Sequence, residues 1–423
     1  MTDEKMRLFF RTGVRRGAGS VKAGLLAAGV IVAGLPCLAA SYTNSATGNW
    51  DADASWTGSK PAAGGASDAV IVFNPPGVDV STNNLSGTFS LSRLEFASGR
   101  VTLAGGALGF SAGGLVTNAS GSPALIRNAV TLSGETTFGG AAAVTNAGII
   151  SGVGSIVKTG AGALVLTTNN TYTGATTVSG GQLTIVTATT VTSMQSTNFT
   201  VQGGATMRVL SGAPNAWSTP DKSVFNVQSN GTLTIDVPTI HCGFLTAENG
   251  ATVNGTAACM SLHATNTASS GVASLGGVAV KKLILEPYNA VNPSQTVRYD
   301  GSGSGLSVGT DSGTPFSWRV GSGSTGRMTY RLDVADSPSA AVDMLVPFLN
   351  LRPSSGGFTC VKQGGGALQI NGMDWTSAPT PNAPFACFVS GGTLVLNTSA
   401  ANALGVNFSG VTVDSGATLQ VGA

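Results

Sequence analysis

The sequence predicts an all-β protein, specifically a right-handed parallel β-helix of short strands separated by glycines. Three observations favour this class. Of the 423 residues, 60 are glycine and only 9% are charged, far below the roughly 25% of an ordinary soluble protein. Val, Leu and Ile alternate with Thr, Ser and Asn, which suits short strands and tight turns. One glycine-led strand pattern returns every ~19 to 27 residues, apart from a long gap between Gly250 and Gly366, and such a period is typical of solenoids.

The recurring pattern is a glycine, one or two small residues and an alternating apolar strand. It reads GALVL at Gly162, and related segments begin at Gly181, Gly204, Gly231, Gly250, Gly366, Gly392 and Gly416. One such strand cannot bury its apolar row alone, whereas stacked strands bury a continuous narrow core. Outward Thr and Asn rows then stack as ladders. A β-sandwich also uses short, regularly spaced strands, but it does not explain why the same pattern returns.

The N-terminus has the features of an export signal. Basic residues lead into the apolar run AGLLAAGVIVAGLP, and small residues suited to cleavage follow near Ala39 and Ala40. We therefore assign 1–40 as a signal peptide, with a membrane anchor as the alternative. Beyond this run the sequence has no apolar stretch of the ~20 residues that a membrane span requires.

The charge distribution argues against nucleic-acid binding. The net charge is +2, and much of the basic excess lies in the first 22 residues. The remainder has no basic stripe to follow a phosphate backbone. We also find no phosphate loop, nucleophile elbow or EF-hand spacing, and we predict no cofactor and no metal. His241, Cys242, Cys259 and His263 match no common zinc spacing.

Four cysteines follow the predicted cleavage site, namely Cys242, Cys259, Cys360 and Cys387. Export exposes them to an oxidising compartment. The separation within 242/259 and within 360/387 is about one solenoid turn, so disulfides between neighbouring rungs are one interpretation. Four cysteines allow three pairings, and free buried thiols are the alternative.

The segment 157–185 resembles the autotransporter-associated β-strand repeat. That repeat has the pattern lysine-x-glycine-x-glycine, an apolar strand, then Asn-x-Tyr-x-Gly-x-Thr-x-Val-x-x-Gly-x-Leu. The matching residues here are Lys158, Gly160, Gly162, Leu164, Leu166, Asn170, Tyr172, Gly174, Thr176, Val178, Gly181 and Leu183. A degenerate second copy begins at Lys362, Gly364, Gly366 and Leu368, but it lacks the Asn-x-Tyr-x-Gly core.

The resemblance implies an exported passenger of a bacterial surface or secreted protein, delivered by outer-membrane export machinery. The glycine-led pattern and this resemblance together divide the chain into a β-rich cap region (41–98), a β-helix (99–253), an irregular β segment or insertion (254–359), where the period is poorly kept, and a continuation of the β-helix (360–423). Since the sequence stops within a repeat strand, we expect a fragment that lacks its C-terminus. A protein without its own translocator is the alternative.

Two functional readings compete. The first is a non-catalytic structural or adhesive protein, secreted or at the cell surface, with glycans or matrix proteins as partners. The second is a secreted polysaccharide-degrading β-helix enzyme resembling pectate lyases, because such enzymes use outward carboxylates beside Lys or Arg. An enzyme needs several of these side chains to converge. The candidates are Lys281, Lys282, Glu286, Arg298, Asp300, Asp311, Arg319, Arg331, Asp333 and Asp336. We favour the first reading.

Trp50 and Trp56 also allow two interpretations, a sugar-binding surface or a cap. Two tryptophans can form a platform on which a sugar ring stacks. They can also close the end of the solenoid, where edge strands need a cover. We predict the cap.

Overall fold

The computed structural model describes residues 39–187, 195–196, 198–211, 224–236, 240–242, 244–248, 251–254, 259–262, 271–280, 282–285, 292, 294–309, 316–319, 326–352, 357–374, 385–397 and 408–422. The predicted signal peptide therefore lies outside the described residues, apart from its last two positions. The described part beyond it forms one compact unit.

Within the described ranges, 41 strands form four sheets, joined by turns and by one 3-10 turn at Asp53–Ser55. Sheet 1 runs along the whole unit and contains β1 (Ser41–Asn44), β3 (Trp56–Thr57), β4 (Val70–Phe73), β6 (Phe89–Phe96), β8 (Leu108–Asn118), β10 (Val130–Leu132), β11 (Thr136–Gly140), β13 (Ile150–Gly152), β14 (Ile156–Lys158), β16 (Thr176–Val178), β18 (Asn198–Val201), β20 (Val224–Val227), β23 (Phe244–Ala247), β26 (Gly271–Leu275), β29 (Ser294–Tyr299), β32 (Met328–Val334), β35 (Phe358–Gln363), β38 (Phe385–Val389) and β40 (Phe408–Val413).

The other three sheets are shorter. Sheet 2 contains β2 (Gly48–Asn49), β5 (Val78–Asn83), β7 (Arg100–Gly105), β9 (Ala124–Ile126), β12 (Val144–Asn146), β15 (Leu164–Leu166), β17 (Gln182–Thr187), β19 (Thr206–Ser211), β21 (Thr232–Asp236) and β24 (Thr252–Asn254). Sheet 3 contains β22 (Ile240–Cys242), β25 (Cys259–Leu262), β28 (Lys282–Leu285), β31 (Phe316–Arg319), β34 (Leu349–Arg352) and β37 (Met373–Asp374). Sheet 4 contains β27 (Ala279–Val280), β30 (Leu306–Val308), β33 (Met344–Val346), β36 (Ala367–Ile370), β39 (Thr393–Leu396) and β41 (Thr418–Val421).

Successive turns of the chain stack in parallel register. Val130 pairs with Ile150 on the next rung, and Val144 pairs with Leu164 in the neighbouring sheet. Inward positions form apolar columns, while the residues between them face outward, as the period of two along a strand requires. The inward column through Phe199 continues to Phe225, and their rings stack at 4.8 Å. The predicted parallel β-helix is confirmed.

Sheet 1 continues through the segment predicted to be irregular. Strands β26, β29, β32 and β35 pair in parallel with one another in that order. Strands β28, β31 and β34 stack in the same way in sheet 3. The described strands of 254–359 are therefore rungs of the same solenoid.

An aromatic cluster lies at the first rung. Trp50 and Trp56 are buried and meet edge to face with ring centroids 5.5 Å apart. The Trp56 strand β3 pairs antiparallel with β1, so it covers the edge of sheet 1. Because both rings are buried, the two tryptophans lie where a cap needs them and present no open face to a sugar ring.

Candidate functional site

The motif lysine of the first repeat copy lies inside the solenoid. Lys158 ends β14 and occupies an inward column between Phe138 and Val178. Only 2% of its surface is exposed. A buried lysine needs hydrogen-bond acceptors for its three ammonium protons, because an unpaired buried charge is costly.

Backbone carbonyls supply these acceptors. Lys158 Nζ donates to the carbonyls of Thr159 at 2.6 Å, Gly160 at 2.9 Å and Gly180 at 3.0 Å. The first two belong to its own turn, and the third belongs to the next rung. Burial lowers the pKa of Lys158 from 10.5 to about 8, while the three carbonyl dipoles favour the charged form. We call this arrangement a lysine corner: it ties two successive turns together.

The motif glycines allow neighbouring rungs to approach closely enough to form the lysine corner. Gly160 has a φ of +70°, and a Cβ there would lie 2.5 Å from the Gly140 carbonyl oxygen. A Cβ at Gly162 would lie 2.1 Å from the Ala142 carbonyl oxygen. These separations are shorter than any van der Waals contact, so the rungs approach closely here only because side chains are absent.

The polar middle of the motif forms a short arch in which alternate residues point inward. Asn170 Oδ1 accepts a hydrogen bond from the Ile150 backbone N–H at 2.8 Å, so the side chain replaces a strand partner on the rung below. The Tyr172 ring is fully buried, and its hydroxyl lies 2.7 Å from Thr176 Oγ1. Burial raises the pKa of Tyr172 to about 12. The arch therefore satisfies its polar groups internally.

The degenerate second copy forms an equivalent corner. Lys362 is fully buried between Leu332 and Val389. Its Nζ donates to the carbonyls of Gln363 at 3.1 Å, and of Gly364 and Gly391 at 2.9 Å each. Burial also lowers the pKa of Lys362 to about 8, although the charges of Asp333 and Asp343 oppose that shift.

The glycines of the two corners also correspond. Gly364 has a φ of +81°, and a Cβ there would lie 2.4 Å from the Val334 carbonyl oxygen. Gly392 has a φ of +60°, close to the +61° of Gly181 in the first copy. The lysine corner thus occurs twice, while the Asn–Tyr arch belongs to the first copy.

The outward face of sheet 1 carries a long, mostly uncharged row. Starting at β11, in-register positions on seven successive rungs are Thr137, Val157, Thr177, Thr200, Asn226, Thr246 and Ser274. We call this row the hydroxyl ladder. The next two rungs continue it with Arg298 and Asp333. The ladder offers a series of donors and acceptors, interrupted at Val157, rather than a single reactive centre.

Among the described residues, the charged side chains proposed for an enzyme do not form a cluster of carboxylates. Asp333 pairs with Arg298 at 2.9 Å, an ion pair that joins neighbouring rungs. Asp300 accepts hydrogen bonds from the backbone and hydroxyl of Ser302. Asp336 is exposed, and Arg331 lies on β32 beside Asp333. Lys281, Glu286 and Asp311 lie outside the described residues, as do the side chains of Lys282 and Arg319.

One further carboxylate in this region is structural. Asp343 is buried, and its two oxygens accept hydrogen bonds from the backbone N–H groups of Ser337 and Ala367, each at 2.7 Å. Both carboxylate oxygens of Asp343 are therefore used as acceptors that connect a turn to the next rung. Sequence reasoning did not single it out, because an aspartate before an apolar strand gives no signal of burial.

A shallow groove of about 680 Å³ lies near β24, β27, β30 and β33. Its described lining consists of Ala251, Thr252, Val253, Gly277, Val278, Ala279, Ser304, Gly305, Leu306, Ser307, Val342 and Leu345. These residues carry hydroxyls and backbone groups but no titratable side chain. The described wall of the groove therefore provides no general acid or base.

The cysteines fall into two groups. Cys360 and Cys387 are register partners on neighbouring strands, and both are buried free thiols. The disulfide interpretation stays a prediction. Cys242 and Cys259 lie on β22 and β25, but their side chains lie outside the described ones, as does that of His241. His263 lies outside the described residues altogether. Within the described part of the chain, no group of three or more His, Cys, Asp or Glu side chains is placed to hold a metal.

Comparisons with known proteins identify one segment. Residues 156–185 match the family model described as passenger-associated-transport-repeat. Comparison with curated proteins and with solved structures gave no match to the chain. In the part that the structure describes, no helix is both long and apolar enough to cross a membrane. The repeat indicates a secreted or surface-exposed protein. The chain is thus a parallel β-helix protein whose residues 156–185 match the passenger-associated transport repeat.

Proposed function

We propose that the protein is an exported, non-catalytic bacterial surface or secreted protein whose hydroxyl ladder binds extended glycans or matrix proteins. The observation that carries this proposal is the ladder itself. Seven successive rungs present Thr, Ser, Asn and one Val outward, without a charged side chain among them. The protein would then act by presenting repeated binding groups along an extended surface.

The spacing of the ladder suits an extended, uncharged ligand. Parallel strands lie about 4.8 Å apart, so hydroxyl or amide groups recur at that interval along the ladder except at Val157. Each contact is weak because it replaces a hydrogen bond to water. Many contacts along one chain add up, which favours a polymer over a small molecule.

The distribution of charge supports a binding role over hydrolysis or elimination. General acid–base chemistry needs at least two groups that converge on one substrate atom. The described carboxylates of the central region instead have separate partners, such as Arg298 for Asp333 and Ser302 for Asp300. The polysaccharide-degrading enzyme is therefore the weaker hypothesis.

A binding experiment with matched charge variants tests the proposal. The chain is applied to immobilised neutral polysaccharides and to purified matrix proteins. Thr177→Lys with Thr200→Lys adds two charges to the hydroxyl ladder. Thr102→Lys with Thr145→Lys adds the same charges to half-buried positions of sheet 2.

The ladder variant should lose at least tenfold in affinity, while the sheet 2 variant should bind as the unchanged chain does. Equal binding by both variants would contradict the role of the ladder. Incubation with polysaccharides provides the second readout. Release of new reducing ends or unsaturated sugars would support the enzyme instead.

A further inference from the structure

Two sulfur atoms face each other inside the last described rungs. Cys360 on β35 and Cys387 on β38 are in-register partners, and both side chains point into the core. Their strands should lie about 4.8 Å apart, and the two thiols are within hydrogen-bond reach of each other. The rungs therefore hold two free thiols side by side in the core.

A small void adjoins the two thiols. It measures about 20 Å³, and Met373 on β37 lines it together with Cys360 and Cys387. A space of this size accommodates a guest of about one water molecule. The remaining wall is largely apolar, including Leu368, Ile370 and Leu394, so the three sulfur atoms are the obvious ligands for a guest ion.

The equivalent positions of the first lysine corner show that the sulfur atoms are not required by the fold. Two residues before Lys158 lies Ile156, and two residues before Val178 lies Thr176, which pairs with Ile156. In the second copy the same positions, two before Lys362 and two before Val389, are Cys360 and Cys387. The second corner thus has two thiols where the first has an isoleucine and a threonine whose hydroxyl lies 2.7 Å from that of Tyr172.

We propose that Cys360, Cys387 and Met373 bind one soft monovalent metal ion, of the class of Cu(I) or Ag(I). Thiolate and thioether ligands select such ions over Zn²⁺ or Mg²⁺ by their softness. Metal–thiolate bonds of about 2.3 Å, placed opposite each other, span nearly the distance between neighbouring strands.

Lys362 partly compensates the charge of the loaded site. Binding converts two thiols and one ion into a bis-thiolate complex of charge −1 and releases two protons to solvent. Lys362 lines the same void, and its ammonium contributes +1. This positive charge lowers the cost of placing the complex in the core.

The test uses Ag(I), which needs no reductant, added while the full chain refolds. The bound metal is counted after gel filtration, and thiolate–metal absorption is recorded in the ultraviolet. Cys360→Ser and Cys387→Ser should each lose one equivalent of Ag(I). Cys242→Ser serves as the matched control and should retain that equivalent. Met373→Leu, which preserves the apolar volume, should weaken binding at least tenfold.

Far-ultraviolet circular dichroism confirms that each variant has refolded before its metal content is compared. If folded Cys360→Ser and Cys387→Ser retain every equivalent of Ag(I), the proposal is wrong. If a serine variant does not fold, Met373→Leu provides the test. Unchanged Ag(I) affinity in Met373→Leu would exclude the three-sulfur site.

Discussion

Replacing Lys158 by methionine tests whether the lysine corner stabilises the solenoid. Methionine keeps most of the buried chain but removes the three donors. Hydrogen bonds to charged groups contribute at least about 1.5 kcal/mol each, and the corner contains three of them. Burying the ammonium opposes this gain, since lowering the pKa from 10.5 to about 8 corresponds to roughly 3 kcal/mol at ~1.4 kcal/mol per pKa unit.

The difference leaves the lysine favourable by about 1 to 2 kcal/mol near neutral pH. Lys158→Met should lower the free energy of unfolding by that amount. Lys362→Met should behave alike, because its ammonium also donates to three carbonyls. Urea unfolding followed by circular dichroism gives the global value. Hydrogen exchange at the two rungs detects the loss if the solenoid opens locally.

Lys60→Met is the matched control. The Lys60 side chain is 42% exposed and pairs with Asp53 at 3.0 Å; its ammonium also donates to the Asp51 carbonyl at 2.7 Å, at an exposed position. Such surface pairs contribute between about 0 and 1 kcal/mol, so this variant should change stability little. If Lys158→Met is as neutral as Lys60→Met, the corner contributes nothing. If it stabilises the protein, desolvation outweighs the hydrogen bonds and the reasoning is refuted.

Three further predictions follow from the same region. Gly162→Ala should destabilise strongly, by about 3 kcal/mol or more, because its Cβ would meet a carbonyl oxygen, whereas Gly121→Ala has open space and only the strain of its positive φ; thermal unfolding of both variants compares them. Tyr172→Phe removes the hydroxyl that lies 2.7 Å from Thr176 and should lower the free energy of unfolding by about 1 kcal/mol. An unchanged free energy of unfolding in urea would show that this hydrogen bond does not stabilise the protein. Raising the pH from 8 towards 10 should increase the stability of the unchanged chain relative to Lys158→Met, because the unfolded lysine still binds a proton that the folded one has lost; a constant difference between the two unfolding curves would contradict the lowered pKa.

The sequence was sufficient for the architecture because its periodicities are physical requirements of stacking. A period of two along GALVL places Leu164 and Leu166 inward, and the structure pairs them with Leu183 and Ile185 on the next rung. The return of the pattern each turn follows because every rung must cover the row of the rung before it. These constraints are local and repeat often, so they are readable without coordinates.

The burial of the motif lysines was not predicted. Lysine is rarely buried, so the motif pattern alone does not indicate that these lysines lie inside the solenoid. The signal was present in the alternation: Ile156 points inward, Val157 outward, and Lys158 is therefore inward again. What the sequence lacks is the turn geometry that brings the carbonyl of Gly180, from the following rung, within reach of the ammonium.

The same distinction separates the two copies of the motif. The match covers both the lysine corner and the Asn–Tyr arch, whereas the second copy has the corner alone. In the first copy Asn170 and Tyr172 bridge the gap between strands by bonding to Ile150 and Thr176. In the second copy another strand, β37, pairs with β34 before the chain returns to sheet 1. The two parts of the motif are physically separable, since a buried ammonium needs two adjacent turns and not the arch. Other solenoids should therefore contain lysine corners that sequence models of the whole repeat overlook.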